Sequence, residues 1–145
     1  MQITEHFTVE EFERSSTASR LGIDNRVPAY FIPSLRTLCV EMLEPLRQEV
    51  GRPLLLTSGY RCPALNRAVG GKANSQHLRG EAADLYLPSV SEGMAWYNWL
   101  MNHVNLDQLI WERQGERRWI HVSCQPNPER NRHQAFRIVD RPCDV

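Results

Sequence analysis

The sequence predicts an α+β fold, an antiparallel sheet with helices packed against one side. Two observations carry that expectation. Apolar residues at helical spacing mark two substantial helices, over 30–50 and 91–104. Short runs with period-2 alternation mark strands that mostly follow one another in the second half of the chain.

The elements can be justified in order. Thr8 followed by Glu11 is a capping-box pattern and opens a helical turn. Residues 15–27 are polar and read as a loop covering one edge of a cleft. The stretch 30–50 is the best helix: Ile32, Leu35, Leu38, Cys39, Met42, Leu43, Leu46 and Val50 follow its period, and Gly51 suits its end. Pro45 inside it predicts a kink or break, because proline lacks the N–H and clashes with the preceding turn.

Residues 54–58 form a strand that feeds a turn at Gly59-Tyr60-Arg61, and Pro63 starts a short helix ending at Gly70-Gly71. Residues 82–87 alternate, with Ala82, Asp84 and Tyr86 on one face and Ala83, Leu85 and Leu87 on the other. After the helix 91–104, strands are expected at 107–112 and 118–124. A Pro/Asn/Arg-rich loop at 126–132 and an edge strand at 134–139 follow.

Composition bounds the function. The 145 residues suit a single domain over 1–145, with 41% hydrophobic and 23% charged residues and a formal net charge of zero. No basic surface for nucleic acid is indicated, and net charge gives no steering toward anionic polymers. No apolar run approaches the roughly 20 residues needed to span a bilayer. The N-terminal residues lack the charged and apolar regions of a secretory signal, so synthesis in the cytoplasm is expected. The four cysteines, Cys39, Cys62, Cys124 and Cys143, are expected as free thiols, Cys39 in the core. His6, His103 and His133 read as surface or packing residues. Oligomeric state is not legible.

The chemistry concentrates in Ser75-Gln76-His77-Leu78-Arg79-Gly80-Glu81-Ala82-Ala83-Asp84 and in Trp119-Ile120-His121-Val122-Ser123. An aspartate within an apolar strand is costly to bury unless it is paired or binds metal. Taken singly, a strand histidine is commonly a hydrogen-bonded core residue, Asp84 could pair with an arginine, and His77 could be a loop residue. Together, two imidazoles and a carboxylate make a three-ligand zinc site with a fourth position open to water.

From Phe7 to Ser123 the chain resembles the zinc D-Ala-D-Ala carboxypeptidases and the related phage and prophage peptidoglycan endopeptidases. Those enzymes share their metal site with lysostaphin-type peptidases and the hedgehog signalling domain. The resemblance rests on Ser58-Gly59-Tyr60-Arg61, Asn66, Val69-Gly70-Gly71, the His77 to Asp84 motif with Ser75, and Trp119-x-His121-Val122-Ser123. The front segment, with Glu11, Gly22-Ile23-Asp24-Asn25 and Leu43-x-Pro45-Leu46-Arg47, also resembles the small prophage-type members.

The resemblance implies the hedgehog/D-Ala-D-Ala peptidase fold. It also implies Zn2+ held by His77, Asp84 and His121, a substrate carboxylate on Arg61, and Ser75 helping to position a peptidoglycan stem peptide. The protein would act on the wall after export or lysis. Trp119 is expected as a wall of the cleft or as packing. The alternative is a non-catalytic zinc-containing wall-binding module. Nothing in the sequence chooses between carboxypeptidase and endopeptidase action.

The general base is open between Glu112 and Glu116. Arg118, three residues before His121, cannot take a proton at neutral pH. A two-residue hairpin turn at Gln114-Gly115 would set Gln108 opposite His121 and Ile110 opposite Trp119, with Glu112 on the His121 face. A slip of one residue would put Glu116 there instead.

Overall fold

The computed structural model describes residues 1–139. A small hairpin opens the chain, β1 (Gln2–Thr4) paired antiparallel with β2 (Phe7–Thr8), and it buries Ile3 and Phe7. The Glu44 carboxylate fastens it, accepting from Thr4 Oγ1 at 2.7 Å and from the His6 N–H at 2.8 Å. Sequence pattern gave no sign of this hairpin, because strands of three and two residues are too short to show a period.

Helix α1 (Val9–Glu13) begins at the expected cap, the Thr8 N–H donating to the Glu11 carboxylate at 2.7 Å. The expected loop over 15–27 is corrected in part. Ser15 accepts the Ala18 N–H and starts α2 (Ser16–Leu21), which has too few apolar residues to reveal a helical stripe.

The long helix is α3 (Ile32–Leu38) and α4 (Glu44–Val50), joined by a π-helical turn over Cys39–Leu43 and preceded by a 3₁₀ turn. The Glu44 N–H bonds the Cys39 carbonyl, five residues back. The turn widens just ahead of Pro45, and the chain absorbs the proline there without breaking the helix.

The main sheet holds β3 (Leu56–Ser58), β4 (Ala82–Tyr86), β5 (Gln108–Gln114), β6 (Arg117–Ser123) and β7 (Gln134–Ile138), in the order β3-β4-β6-β5-β7. The first four pair antiparallel; β7 is an edge strand parallel to β5, so the sheet is mixed at that edge. Helix α5 (Pro63–Ala68) lies between β3 and β4, and α6 (Val90–His103) between β4 and β5.

Alternation divides the sheet into two faces. Ala83, Leu85, Leu109, Trp111, Ile120 and Val122 join the core with Leu35, Leu38, Met42 and Leu46 of the long helix and Leu100 of α6. The opposite face carries Asp84, Ile110, Glu112, Trp119 and His121 and floors an open cleft.

Among the described residues Cys39 and Cys124 are buried free thiols and Cys62 is a partly buried one; Cys143 lies outside the described residues. No helix among the described residues is long and apolar enough to cross a membrane.

Candidate metal centre

The site is assembled by strand pairing plus one turn. Asp84 on β4 is directly opposite His121 on β6. His77 arrives from a 3₁₀ turn, Gln76–Arg79, that ends at Gly80 with φ +69°, a left-handed conformation that favours glycine. The Ser75 hydroxyl accepts the His77 N–H at 3.2 Å, so Ser75 shapes this turn as well as lining the cleft.

One ligand atom each from His77, Asp84 and His121 lies within 4.8 Å of the others. Asp84 Oδ1 is 3.3 Å from His77 Nε2 and 3.0 Å from His121 Nδ1. His77 Nδ1 lies 2.6 Å from the Gly59 carbonyl. A carbonyl only accepts, so Nδ1 carries the proton and Nε2 of the neutral ring is left with a lone pair. That Nε2 is buried and has no hydrogen-bond partner.

A bare nitrogen lone pair facing a carboxylate is repulsive unless a cation lies between them. The three residues therefore fit a metal, and a backbone carbonyl fixing the far nitrogen is the usual outer-shell support for a metal-binding histidine. Burial pushes the His77 imidazole down, toward the neutral form a metal requires. Burial alone would raise Asp84, but the imidazoles of His77 and His121 outweigh it and hold the carboxyl well below the usual range.

Arg61 leans over this cluster. Its Nη2 is 3.8 Å from Asp84 Oδ2, while Nε donates to Ser58 Oγ at 3.1 Å and Nη1 to Asn66 Oδ1 at 3.0 Å. Gly71 completes the cradle: a Cβ there would meet Asn66 Oδ1 at 2.0 Å and Arg61 Nη1 at 2.6 Å.

Asn25, buried in the front segment, donates to the Tyr60 carbonyl at 3.0 Å and accepts the Cys62 N–H at 2.8 Å. It clamps both sides of Arg61. The residue stood in the front motif without a role, because its partners lie some 35 residues away.

The β5–β6 register differs from the expected one. The turn is Gly115-Glu116, with φ +61° at Gly115, and it pairs Ile110 with His121 and Glu112 with Trp119. This is a shift of two residues, so Glu112 keeps the His121 face. Glu112 is 4% exposed, lines the cleft and accepts the Trp119 indole N–H at 2.8 Å. Glu116 sits exposed at the hairpin tip and does not line the cleft. Trp119 borders the cleft, with the Arg117 guanidinium 5.5 Å above its ring.

Cys62 and Cys124 are not part of the metal cluster: the Cys62 sulfur caps α5, and the Cys124 sulfur accepts from Asn131 Nδ2 at 3.4 Å. A family model described as Peptidase M15 matches residues 5–123. No curated protein matches the chain.

Proposed function

The chain belongs to the peptidase M15 family, and from that premise we propose that it is a zinc metallopeptidase hydrolysing an amide bond in peptidoglycan stem peptides. The single observation that carries the metal reading is the buried, partnerless Nε2 of His77 facing Asp84 and His121. Two neutral imidazoles and one carboxylate are a donor set suited to zinc with a position left open for reaction. His77, Asp84 and His121 would hold the zinc, which would supply a nucleophile at neutral pH by lowering the pKa of water to about 7.

The chain's own residues do the rest. The Arg61 guanidinium, fixed by Ser58 and Asn66, binds a substrate carboxylate beside the cluster. Glu112 takes the proton of the attacking water and returns it to the leaving amine. Ile110, two residues earlier on β5, stands opposite His121, so Glu112 is the diagonal neighbour of His121, with side chains about 7 Å apart at their bases. The Trp119 indole N–H donates to the Glu112 carboxylate at 2.8 Å and orients it toward the cleft. The same indole walls the cleft, and Ser75 positions the ligand turn and the substrate beside it.

The single catalytic domain spans the chain, and the wall is its place of action. Mass spectrometry of muropeptides incubated with zinc-loaded protein tests this reading. Loss of one terminal alanine identifies a carboxypeptidase, and internal fragments identify an endopeptidase. His77→Ala should give neither. Intact muropeptides with zinc bound would overturn hydrolysis and leave the wall-binding module.

A further inference from the structure

Outside the metal cluster, the most unusual buried group is Asp107, just before β5 and 0% exposed. Its carboxylate accepts from Arg132 Nε at 2.9 Å and Nη2 at 2.8 Å, from the Arg132 N–H at 3.0 Å, from Gln76 Nε2 at 3.0 Å and from Gln125 Nε2 at 3.2 Å. Gln76 directly precedes the ligand His77, so this carboxylate ties the 125–132 segment to the metal-bearing turn.

Burying a carboxylate costs more than its pairing commonly returns, so such a pair is poorly explained by stability alone. What it achieves here is the placement of one guanidinium. The backbone just after it is fixed: the His133 N–H bonds the Leu106 carbonyl at 2.9 Å and the Gln134 N–H bonds the Asp107 carbonyl at 2.9 Å. His133 itself takes φ +53°, an uncommon conformation for a residue with a Cβ. Yet the Arg132 side chain is 46% exposed and lines the cleft. Asp107 takes Nε and Nη2, and Nη1 has no partner among the described residues.

We propose that Arg132 is a second carboxylate-binding point of the cleft, pre-set by Asp107, for an acidic peptide whose other carboxylate meets Arg61. The assignment rests on the peptidase reading. A guanidinium already held in place loses little freedom on binding, and its planar fork matches a carboxylate. The surroundings favour an anion: Arg20, Lys72, Arg79 and Arg117 also line the cleft, against the carboxylates Asp84 and Glu112. Arg132 lies beyond the family-matched residues 5–123.

The test uses two synthetic peptides that differ only in one side-chain carboxylate, free or amidated. Calorimetry with zinc-loaded protein should give about tenfold tighter binding of the free-carboxylate peptide, the worth of one charged hydrogen bond. Arg132→Gln should abolish that preference while leaving zinc content and affinity for the amidated peptide unchanged. The double variant Asp107→Asn/Arg132→Gln leaves no buried charge unpaired and should lose the preference equally. No preference in the wild type, an unchanged preference in the variants, or equal loss for both peptides overturns the assignment. Wild type that binds with the preference but cuts neither peptide overturns the peptidase reading alone and leaves Arg132 standing.

Discussion

Glu112 is buried, faces the cleft and accepts an indole N–H, the setting of the general base proposed above. Glu112→Gln should lower kcat about 10²–10⁴-fold, the usual worth of a general base, with zinc content unchanged. A variant retaining full activity would remove Glu112 from the mechanism. Gly71→Ala tests the Arg61 cradle. The new Cβ must push aside Asn66 or Arg61. KM for a peptide with a free carboxylate should then rise while zinc binding persists, and unchanged KM would mean that Arg61 does not carry the substrate. At this scale the cluster of His77, Asp84 and His121 and the place of Arg61 were legible through the resemblance to known zinc peptidases, and the structure brings these residues together. Asn25, Gln76, Asp107 and Arg132 were not, since an amide, a carboxylate or a guanidinium gains its role from partners that folding brings from distant positions.

The hairpin β5–β6 shows why register is harder to read than strand identity. Gly115 is the turn residue, but sequence alone did not decide whether it takes the first or second loop position. The structure places it first, moving the pairing by two residues. Because side chains alternate with period two, the face of Glu112 survived the error. The 125–132 segment offers a pH test. Burial raises the Asp107 carboxyl, but the hydrogen bonds from Arg132 outweigh it and leave it lowered. A lowered folded pKa gives stability that is present above the unfolded value, about 3.9, and lost as pH falls through the folded one. Urea midpoints should therefore drop from pH 7 to pH 3, and by less in Asp107→Asn than in the wild type. An identical drop in both would show that Asp107 does not contribute.

Across the whole molecule, a sheet with one apolar and one polar face places the core and the site back to back. The candidate ligands come from the Gln76–Arg79 turn, β4 and β6, so a metal bound there would join three segments and stabilise the folded chain. Zinc at one hundred times its Kd should add about 2.7 kcal/mol, seen as a raised thermal midpoint that a chelator reverses. His77→Ala should show no such shift; a full shift in that variant would place the metal elsewhere. Charge also acquires meaning only here. The chain is neutral overall, and from that no steering toward anions was expected. Folding gathers cations along the cleft, so the local field differs from the sum.

By itself, the sequence determined the α+β class, the long helix, the strands that bear Asp84 and His121, and the grouping of His77, Asp84 and His121 as candidate ligands. These are written in local periodicity and in residue chemistry that few other arrangements use. Only the tertiary structure decided the hairpin register, the N-terminal hairpin, the parallel edge strand and the Asp107 hub. Each of those depends on pairings between distant segments, whose energies are set by burial and geometry that no local window of residues contains.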